Sequence, residues 1–255
     1  MTLTMETNAT ISHWKAADGT DIFFPEATIM VQGEEKQRGG APVCAPNFGP
    51  APTDGPYKGI QLPNHGLVRL CTLEEGKPNH DNPCFHQELP KFGEDGWMHT
   101  GFIFNVPWAC EVWVGAKADK PVMAMHRLRH RISLIPESIH DFDMPYSLGF
   151  HPYLATGGGQ FVLNCGDEVW NRDDLTVGEA FFVPANGNVM HFKTADRTVI
   201  VQALQGYNGY YVWSDAPDKY ICIEPVCIDE DRQYNMLYSG ESITCECNVT
   251  YAPIP

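Results

Sequence analysis

The sequence of 255 residues contains no apolar run close to the ~20 residues that a membrane-spanning helix needs. Its first segment, MTLTMETNATISHWKAADGT, lacks the basic stretch and the apolar stretch that mark a secretory signal. These two absences predict a cytoplasmic protein without a membrane partner.

Basic residues are scarce. The chain has 17 lysines and arginines against 32 aspartates and glutamates, a formal charge of −15 at pH 7. Such a surface repels nucleic acids and anionic membranes, so we expect neither as a partner. A small anionic substrate stays compatible with this charge, because the field inside a pocket depends on its nearest charges.

The nine cysteines include no repeated CxxC pairs. They lie in segments with strand character, as Cys71 and Cys222 do, and an odd, scattered set is typical of reduced, buried thiols. Cys245 and Cys247 would share one face of a strand, which favours packing over a metal or redox site.

A sustained helical pattern is also missing, because glycine or proline interrupts the 3.6-residue apolar period in every window of about 11 to 18 residues. Short β-branched or aromatic segments between turn residues predict strands instead. No repeat or linker divides the chain, so we predict one all-β domain over residues 1–255. The predicted strands are Asp21–Val31, Gly101–Val106, Cys110–Val114, Val122–Leu134, Gln160–Asn164, Thr198–Leu204, Tyr210–Trp213, Tyr220–Glu224 and Ser242–Tyr251.

Segment Val122–Leu134 alternates apolar and basic residues with a period of two, which indicates a half-buried strand. The ten histidines of this all-β chain raise the alternative of a cupin-like metal-dependent enzyme. His126 and His130 would lie about 13 Å apart on a strand, too far for one coordination sphere. The two segments Arg38–Leu70 and Glu74–Gly96 are rich in glycine, proline and asparagine, and loops of this length are usually functional.

Three titratable residues stand directly before glycine or proline, which restricts the local backbone: His65, His151 and Glu224. General acid/base catalysis needs one group that gives a proton and one that takes it, both rigidly held. Glu224 also ends the apolar run Tyr220–Ile223, where an inward carboxylate is expensive to bury unless it is paired or functional.

Four blocks of sequence carry a resemblance to a known family. They are RGGAPVCAPNFGP at 38–50, LPNHGLVR at 62–69, PYSLGFHPYL at 145–154 and YVWSDAPDKYICIEP at 211–225. In this order they resemble the aldose 1-epimerase (galactose mutarotase-like) superfamily, and within it the glucose-6-phosphate 1-epimerase branch. The chain departs from that pattern at Ala45, at Leu67 and Val68, and at Leu154, which affects the expected shape of the sugar pocket.

The resemblance implies a mainly antiparallel β-supersandwich whose concave face holds a sugar or sugar phosphate, with no cofactor and no metal. It implies that Glu224 is the catalytic base and that His65 and His151 lie at the pocket. We assign His151 as the acid at the ring oxygen and His65 as the residue that orients this region.

Substrate-binding residues follow from the same resemblance. Arg38 and Arg69 are expected to approach the substrate and to clamp a phosphate, although a salt bridge that anchors the long loop is an equal alternative. Asp196 is our choice for the pocket aspartate of the superfamily, with Asp173 and Asp215 as competitors. Trp213 is expected to stack on the sugar, together with Tyr153 and Phe150.

A different class of function is also open, namely a non-catalytic sugar-binding or regulatory protein on the same fold. The joint presence of His65, His151 and Glu224 favours the enzyme. The sequence indicates no particular oligomeric state.

Overall fold

The computed structural model describes most of the chain. The described residues are 2–5, 10–50, 63–66, 69, 84–92, 98–105, 108–118, 126–136, 144–228, 234–238, 241 and 243–254. In this part of the chain, no helix is long and apolar enough to span a membrane. The secondary-structure elements of these residues are strands, apart from one 3-10 turn at Arg172–Asp174.

The described residues form twenty-one strands. They are β1 (Thr2–Met5), β2 (Thr10–Lys15), β3 (Ala27–Val31), β4 (Glu34–Arg38), β5 (Ala41–Cys44), β6 (Cys84–Phe92), β7 (Met98–Asn105), β8 (Trp108–Ala118), β9 (His126–Pro136), β10 (Met144–Tyr146), β11 (Gly149–Phe150), β12 (Tyr153–Ala155), β13 (Val162–Cys165), β14 (Glu168–Asn171), β15 (Phe181–Pro184), β16 (Met190–Lys193), β17 (Arg197–Gln205), β18 (Gly209–Trp213), β19 (Tyr220–Val226), β20 (Asn235–Leu237) and β21 (Ile243–Pro253).

Two large antiparallel sheets dominate the architecture. The eight-stranded sheet has the order β1-β2-β5-β11-β19-β18-β15, with β12 also paired to β19. The nine-stranded sheet has the order β14-β13-β16-β17-β21-β9-β8-β7-β6, and β3-β4 and β10-β20 form two separate pairs. The predicted all-β, mainly antiparallel sandwich is therefore confirmed.

The main hydrophobic core lies between the two sheets. One cluster joins Ile221 and Ile223 of the eight-stranded sheet to Val199, Val201 and Val249 of the nine-stranded sheet. These side chains stand at alternate positions of their strands, as the two-residue period of a strand requires.

Cys245 and Cys247 belong to this core as well and are fully buried free thiols. Their predicted packing role on one strand face is confirmed. Cys71 lies outside the described residues.

The segment Glu74–Gly96 is not one long loop, because it contains strand β6. This expectation was wrong for a physical reason. β6 is the last strand of the nine-stranded sheet and contains Pro90 within a register shift between Glu88 and Lys91. Proline and charged residues are tolerated at a sheet edge, so the strand lacks the apolar pattern of a central one. The segment Arg38–Leu70 likewise includes strand β5.

The pair β3-β4 packs on the face of the eight-stranded sheet that points away from the main core. Ile29 and Val31 of β3 form a second cluster there with Tyr153, Tyr220 and Cys222. This cover is one reason why all seven residues of β19 are buried although only one of its faces meets the main core. This second cluster borders the cavity described below.

Two buried tyrosines provide a test of the core. The hydroxyl of Tyr210 accepts a hydrogen bond from the Ala203 amide at 2.9 Å and donates one to the Asn188 carbonyl at 3.1 Å. The buried hydroxyl of Tyr207 has no hydrogen-bond partner among the described residues. We expect Tyr210→Phe to lower the free energy of unfolding by about 1–3 kcal/mol, since it removes two hydrogen bonds that are worth about 0.5–1.5 kcal/mol each. Tyr207→Phe is the matched control and should be neutral or stabilising. Urea denaturation of both variants measures this, and equal losses would contradict it.

Candidate active site

The three predicted catalytic residues converge on one cavity. His65, His151 and Glu224 are far apart in sequence, yet all of them line a cavity of about 490 Å³. This volume lies in the range of pockets that hold small molecules. The complete lining is Gln37, Arg38, Phe48, Gly49, Pro50, Asn64, His65, Arg69, His151, Tyr153, Gly178, Ala180, Tyr211, Trp213 and Glu224.

Glu224 is placed by β19, the strand that pairs with β18 on one side and with β11 and β12 on the other. Its side chain alternates with Ile223, which faces the main core, so Glu224 points to the opposite face. Glu224 is only 3% exposed, and its Oε1 lies 3.3 Å from Nε2 of His151. This contact supplies a polar partner for a carboxylate that is otherwise expensive to bury.

His151 follows β11, and its amide donates a hydrogen bond to the Pro42 carbonyl at 3.0 Å. Its ring stacks on Tyr153, with ring centroids 4.8 Å apart and an interplanar angle of 11°. The His65 ring meets it edge-on at a centroid distance of 5.1 Å. Burial lowers the pKa of His151 well below its ordinary value, and the nearby His65 lowers it further. The imidazole is therefore neutral in the resting protein near pH 7.

His65 lies in a tight turn and has a φ of +63°, in the left-handed region. Its amide donates to the Gly49 carbonyl at 2.9 Å, and its Nδ1 accepts the Gly49 amide at 3.1 Å. Since Nδ1 accepts, the proton of a neutral His65 must be on Nε2. Gly66 is required beside it, because a Cβ there would meet the Ala45 carbonyl oxygen at 2.1 Å.

Aromatic side chains form the walls of the cavity. Phe48 stacks on Tyr211 with a centroid distance of 5.8 Å, and Trp213 donates from its indole nitrogen to the Gly178 carbonyl at 3.2 Å. Tyr153 and Trp213, two of the three aromatic residues that are expected to stack on the sugar, line the cavity. Phe150 does not, since it is fully buried in the main core between the sheets.

Arg38 lines the cavity but is already held by an acidic partner. Its Nε and Nη2 donate to the Asp215 carboxylate at 3.2 Å and 2.7 Å, and its guanidinium lies 5.4 Å from the centre of the Trp213 ring. The Tyr220 hydroxyl also donates to Asp215. Burial alone would raise the pKa of Asp215, but the hydrogen bonds from Arg38 and Tyr220 bring it below its ordinary value. The carboxylate is therefore ionised and balances the charge of Arg38.

Arg69 also lines the cavity, and its Nε donates to the Asn64 carbonyl at 3.1 Å. No carboxylate among the described residues is found in a salt bridge with it, in contrast to Arg38. Both predicted arginines therefore line the same cavity, but among the described residues a carboxylate balances the charge of Arg38 and not that of Arg69.

Asp196 does not line the cavity. It lies in the turn before β17, its side chain is 65% exposed, and it pairs with Arg197 at 3.2 Å. The geometry therefore does not support it as the pocket aspartate. Asp215, one of its two competitors, lies beside the cavity through its contact with Arg38.

Sequence reasoning missed Phe48 and Tyr211. A signal for Tyr211 was present, since it stands two residues before Trp213 on a strand and must share its face. Tyr211 lies directly opposite Glu224 in the register of β18 with β19. Phe48 belongs to the first of the four blocks, but only the folded loop brings it next to His65.

No family model matches the chain, and no curated protein matches it in sequence. Solved structures do match it. The Slr1438 protein of Synechocystis is 18% identical with a TM-score of 0.65, over 99% of this chain and 91% of that one. A galactose mutarotase-like protein from Lactobacillus casei is 14% identical with a TM-score of 0.66, over 97% and 95% of the two chains.

A candidate aldose 1-epimerase from Escherichia coli is 13% identical with a TM-score of 0.61, over 96% of this chain and 93% of that one. Identities this low establish the fold alone. The chain has the galactose mutarotase-like β-sandwich fold.

The lowered pKa of His151 has a consequence for stability. In the unfolded chain His151 takes up a proton near pH 6.5, whereas the folded protein keeps it neutral. The unfolded state then binds more protons, so stability that is present above pH 6.5 is lost as the pH falls below it. We expect the free energy of unfolding to fall between pH 7 and pH 5.5, and to fall less in His151→Gln.

His191 is the matched control for this effect. Its pKa is also lowered by burial and by Lys193, but it is far less buried than His151. Urea denaturation at pH 7 and at pH 5.5 gives the free energy of unfolding at each pH. The difference between these two free energies should depart from that of the wild type less in His191→Gln than in His151→Gln. An unchanged pH dependence in His151→Gln would refute the assignment.

Proposed function

We propose that this protein is a sugar 1-epimerase that interconverts the α and β anomers of an aldose by acid/base ring opening. The observation that carries the proposal is the contact of Glu224 with His151 at the wall of an aromatic-lined cavity, with His65 beside them. The shared fold with mutarotase-like proteins is consistent with it. Fold alone does not assign an activity, so the argument depends on the site.

Ring opening requires two proton transfers. His151 is neutral at rest, so it first takes up a proton from the solvent. Glu224 then takes the proton of the C1 hydroxyl while the His151 imidazolium gives its proton to the ring oxygen. The bond between C1 and the ring oxygen breaks, and C1 becomes the carbonyl carbon of the open-chain aldehyde. Rotation about C1–C2 presents the other face, and the same transfers in reverse close the ring.

The surroundings of His151 suit the role of acid. A lowered pKa makes its imidazolium a stronger acid than a free histidine, so the proton is readily given to a weakly basic ring oxygen. After ring opening Glu224 holds a proton and His151 is neutral. Because their side chains are 3.3 Å apart, the proton can return directly from one to the other.

His65 is proposed to position the ring oxygen. Its Nδ1 is occupied by the Gly49 amide, so its Nε2–H is the donor that a sugar oxygen can use. The flat walls formed by Trp213 and Tyr211 would pack against the apolar face of the sugar.

Replacement of the base tests the mechanism. Glu224→Gln keeps the shape of the side chain but removes the proton acceptor, so we expect the anomer exchange rate to fall by at least ~10². The measurement is NMR exchange or polarimetry on α-glucose and α-glucose 6-phosphate, with circular dichroism to show that the fold is kept. A wild-type exchange rate in Glu224→Gln would make the residue structural. Sugar binding without exchange in the wild type would favour the non-catalytic alternative.

We further infer that the substrate is a hexose 6-phosphate rather than a free hexose. Both arginines line the cavity, and a guanidinium binds phosphate oxygens through strong, charge-assisted hydrogen bonds. Arg69 contributes its charge, whereas the charge of Arg38 is balanced by Asp215. Arg38 still has N–H groups beyond those that it donates to Asp215 and to the Gln37 carbonyl. The overall charge of −15 acts weakly here, since it is screened beyond ~8 Å at physiological salt.

The two arginines should therefore respond differently to replacement. Arg69→Ala should lower kcat/KM for glucose 6-phosphate by roughly 10- to 100-fold more than for glucose, the effect of losing one charged hydrogen bond of about 1.5–3 kcal/mol. Arg38→Ala should lower kcat/KM for both substrates, because Arg38 supports Trp213 and Asp215. Its additional loss for glucose 6-phosphate should be smaller than that of Arg69→Ala, because Asp215 balances the charge of Arg38. Equal losses for both substrates in Arg69→Ala, or a preference of the wild type for glucose, would refute the phosphate assignment.

A further inference from the structure

Cys222 lies next to the proposed acid and base, although the mechanism does not use it. Ligand atoms of His151, Cys222 and Glu224 all lie within 4.8 Å of one another, and all three side chains are buried. Cys222 shares a strand face with Glu224 two residues away, and it is opposite Tyr153 in the register of β12 with β19.

The spacing of these atoms is close to that of a zinc site. Zinc binds histidine nitrogen and carboxylate oxygen at about 2.0–2.2 Å and cysteine sulfur at about 2.3 Å, so neighbouring ligands in a tetrahedron are roughly 3.3–3.8 Å apart. The distance from His151 Nε2 to Glu224 Oε1 is already 3.3 Å. A side-chain movement of about 1 Å would bring the sulfur to the same spacing.

The donor set also selects the metal. A thiolate and an imidazole favour zinc over magnesium and calcium, which prefer oxygen ligands. Two anionic ligands, the thiolate and the carboxylate, balance the charge of a divalent ion, as a buried site requires. The other ring nitrogen of His151, Nδ1, is buried and has no hydrogen-bond partner among the described residues.

An ion can reach this position through the cavity. His151 and Glu224 line the cavity, and Cys222 lies behind them in the second hydrophobic cluster. Three protein ligands leave a fourth coordination position on the cavity side for water or a sugar oxygen.

We propose that His151, Cys222 and Glu224 bind a zinc ion, and that this ion inhibits the protein by occupying its proposed acid and base. The inhibition rests on the proposed epimerase function, whereas the binding does not. When zinc is bound to both residues, Glu224 cannot accept the proton of the C1 hydroxyl, and His151 cannot give a proton to the ring oxygen.

Binding must release a proton. An ordinary cysteine thiol is protonated near pH 7, so the free protein keeps the S–H bond of Cys222. When zinc binds, this bond breaks, a Zn–S bond forms and the proton passes to the solvent.

The test begins with chelator-treated, metal-free protein, which is titrated with zinc chloride by calorimetry in two buffers of different ionisation enthalpy. We expect one zinc per chain, with release of one proton from Cys222. Cys222→Ala should bind at least ~100-fold more weakly. Cys247→Ala, which removes an equally buried thiol from the other sheet, should bind like the wild type. Magnesium chloride should give no binding.

Anomer exchange is measured in the same samples, each relative to its own metal-free rate. Zinc should inhibit the wild type and Cys247→Ala at the concentration at which it binds, and inhibition of Cys222→Ala should need at least ~100-fold more. Equal zinc affinity in Cys222→Ala and the wild type would overturn the site. Binding that depends on Cys222 but leaves exchange unchanged would overturn the inhibition. Absence of exchange in the metal-free wild type, with binding that depends on Cys222, would refute the epimerase function and leave the zinc site standing.

Discussion

The pairing of β19 with its neighbours is the constraint on which the rest of this structure depends. Backbone hydrogen bonds hold β19 between β18 on one side and β11 and β12 on the other, and they set the position of Glu224 relative to His151. A buried carboxylate is stable only with polar partners, and a rigid sheet can keep such a partner at a constant distance. A shift of one residue in this register would turn Glu224 into the hydrophobic core.

One face of the eight-stranded sheet packs into the main hydrophobic core, and the opposite face carries residues of the proposed site. Ile221 and Ile223 of β19 pack into the main core, while Tyr220, Cys222 and Glu224 alternate with them and face the second cluster and the cavity. The hairpin of β3 and β4 covers part of this outer face. The site therefore lies on the outer face of this sheet, beside the β3-β4 hairpin. Substitutions at the site leave the packing of the main core in place.

The charged residues of the cavity differ in how far an opposite charge balances them. Arg38 and Asp215 neutralise each other and brace Trp213, whereas Glu224 contacts a histidine whose pKa is lowered by burial. Arg69 is the cation in the lining for which the described residues provide a backbone carbonyl and no carboxylate. Differences in local pairing, more than the net charge of −15, decide how such a cavity treats an anionic sugar.

Local patterns in the sequence were enough for the fold class, because the two-residue period of segments such as β17 and β21 follows directly from strand geometry. The order of four short blocks identified His65, His151 and Glu224 as candidates. Tertiary structure alone decided the partners. Arg38 meets Asp215 across 177 residues, and His151 reaches Cys222 and Glu224 only because β11 and β12 pair with β19. Strand β19 shows the physical reason. Its apolar run is continuous, so the sequence does not indicate which face of the strand meets the core and which meets the cavity. The pairing with the neighbouring strands decides this.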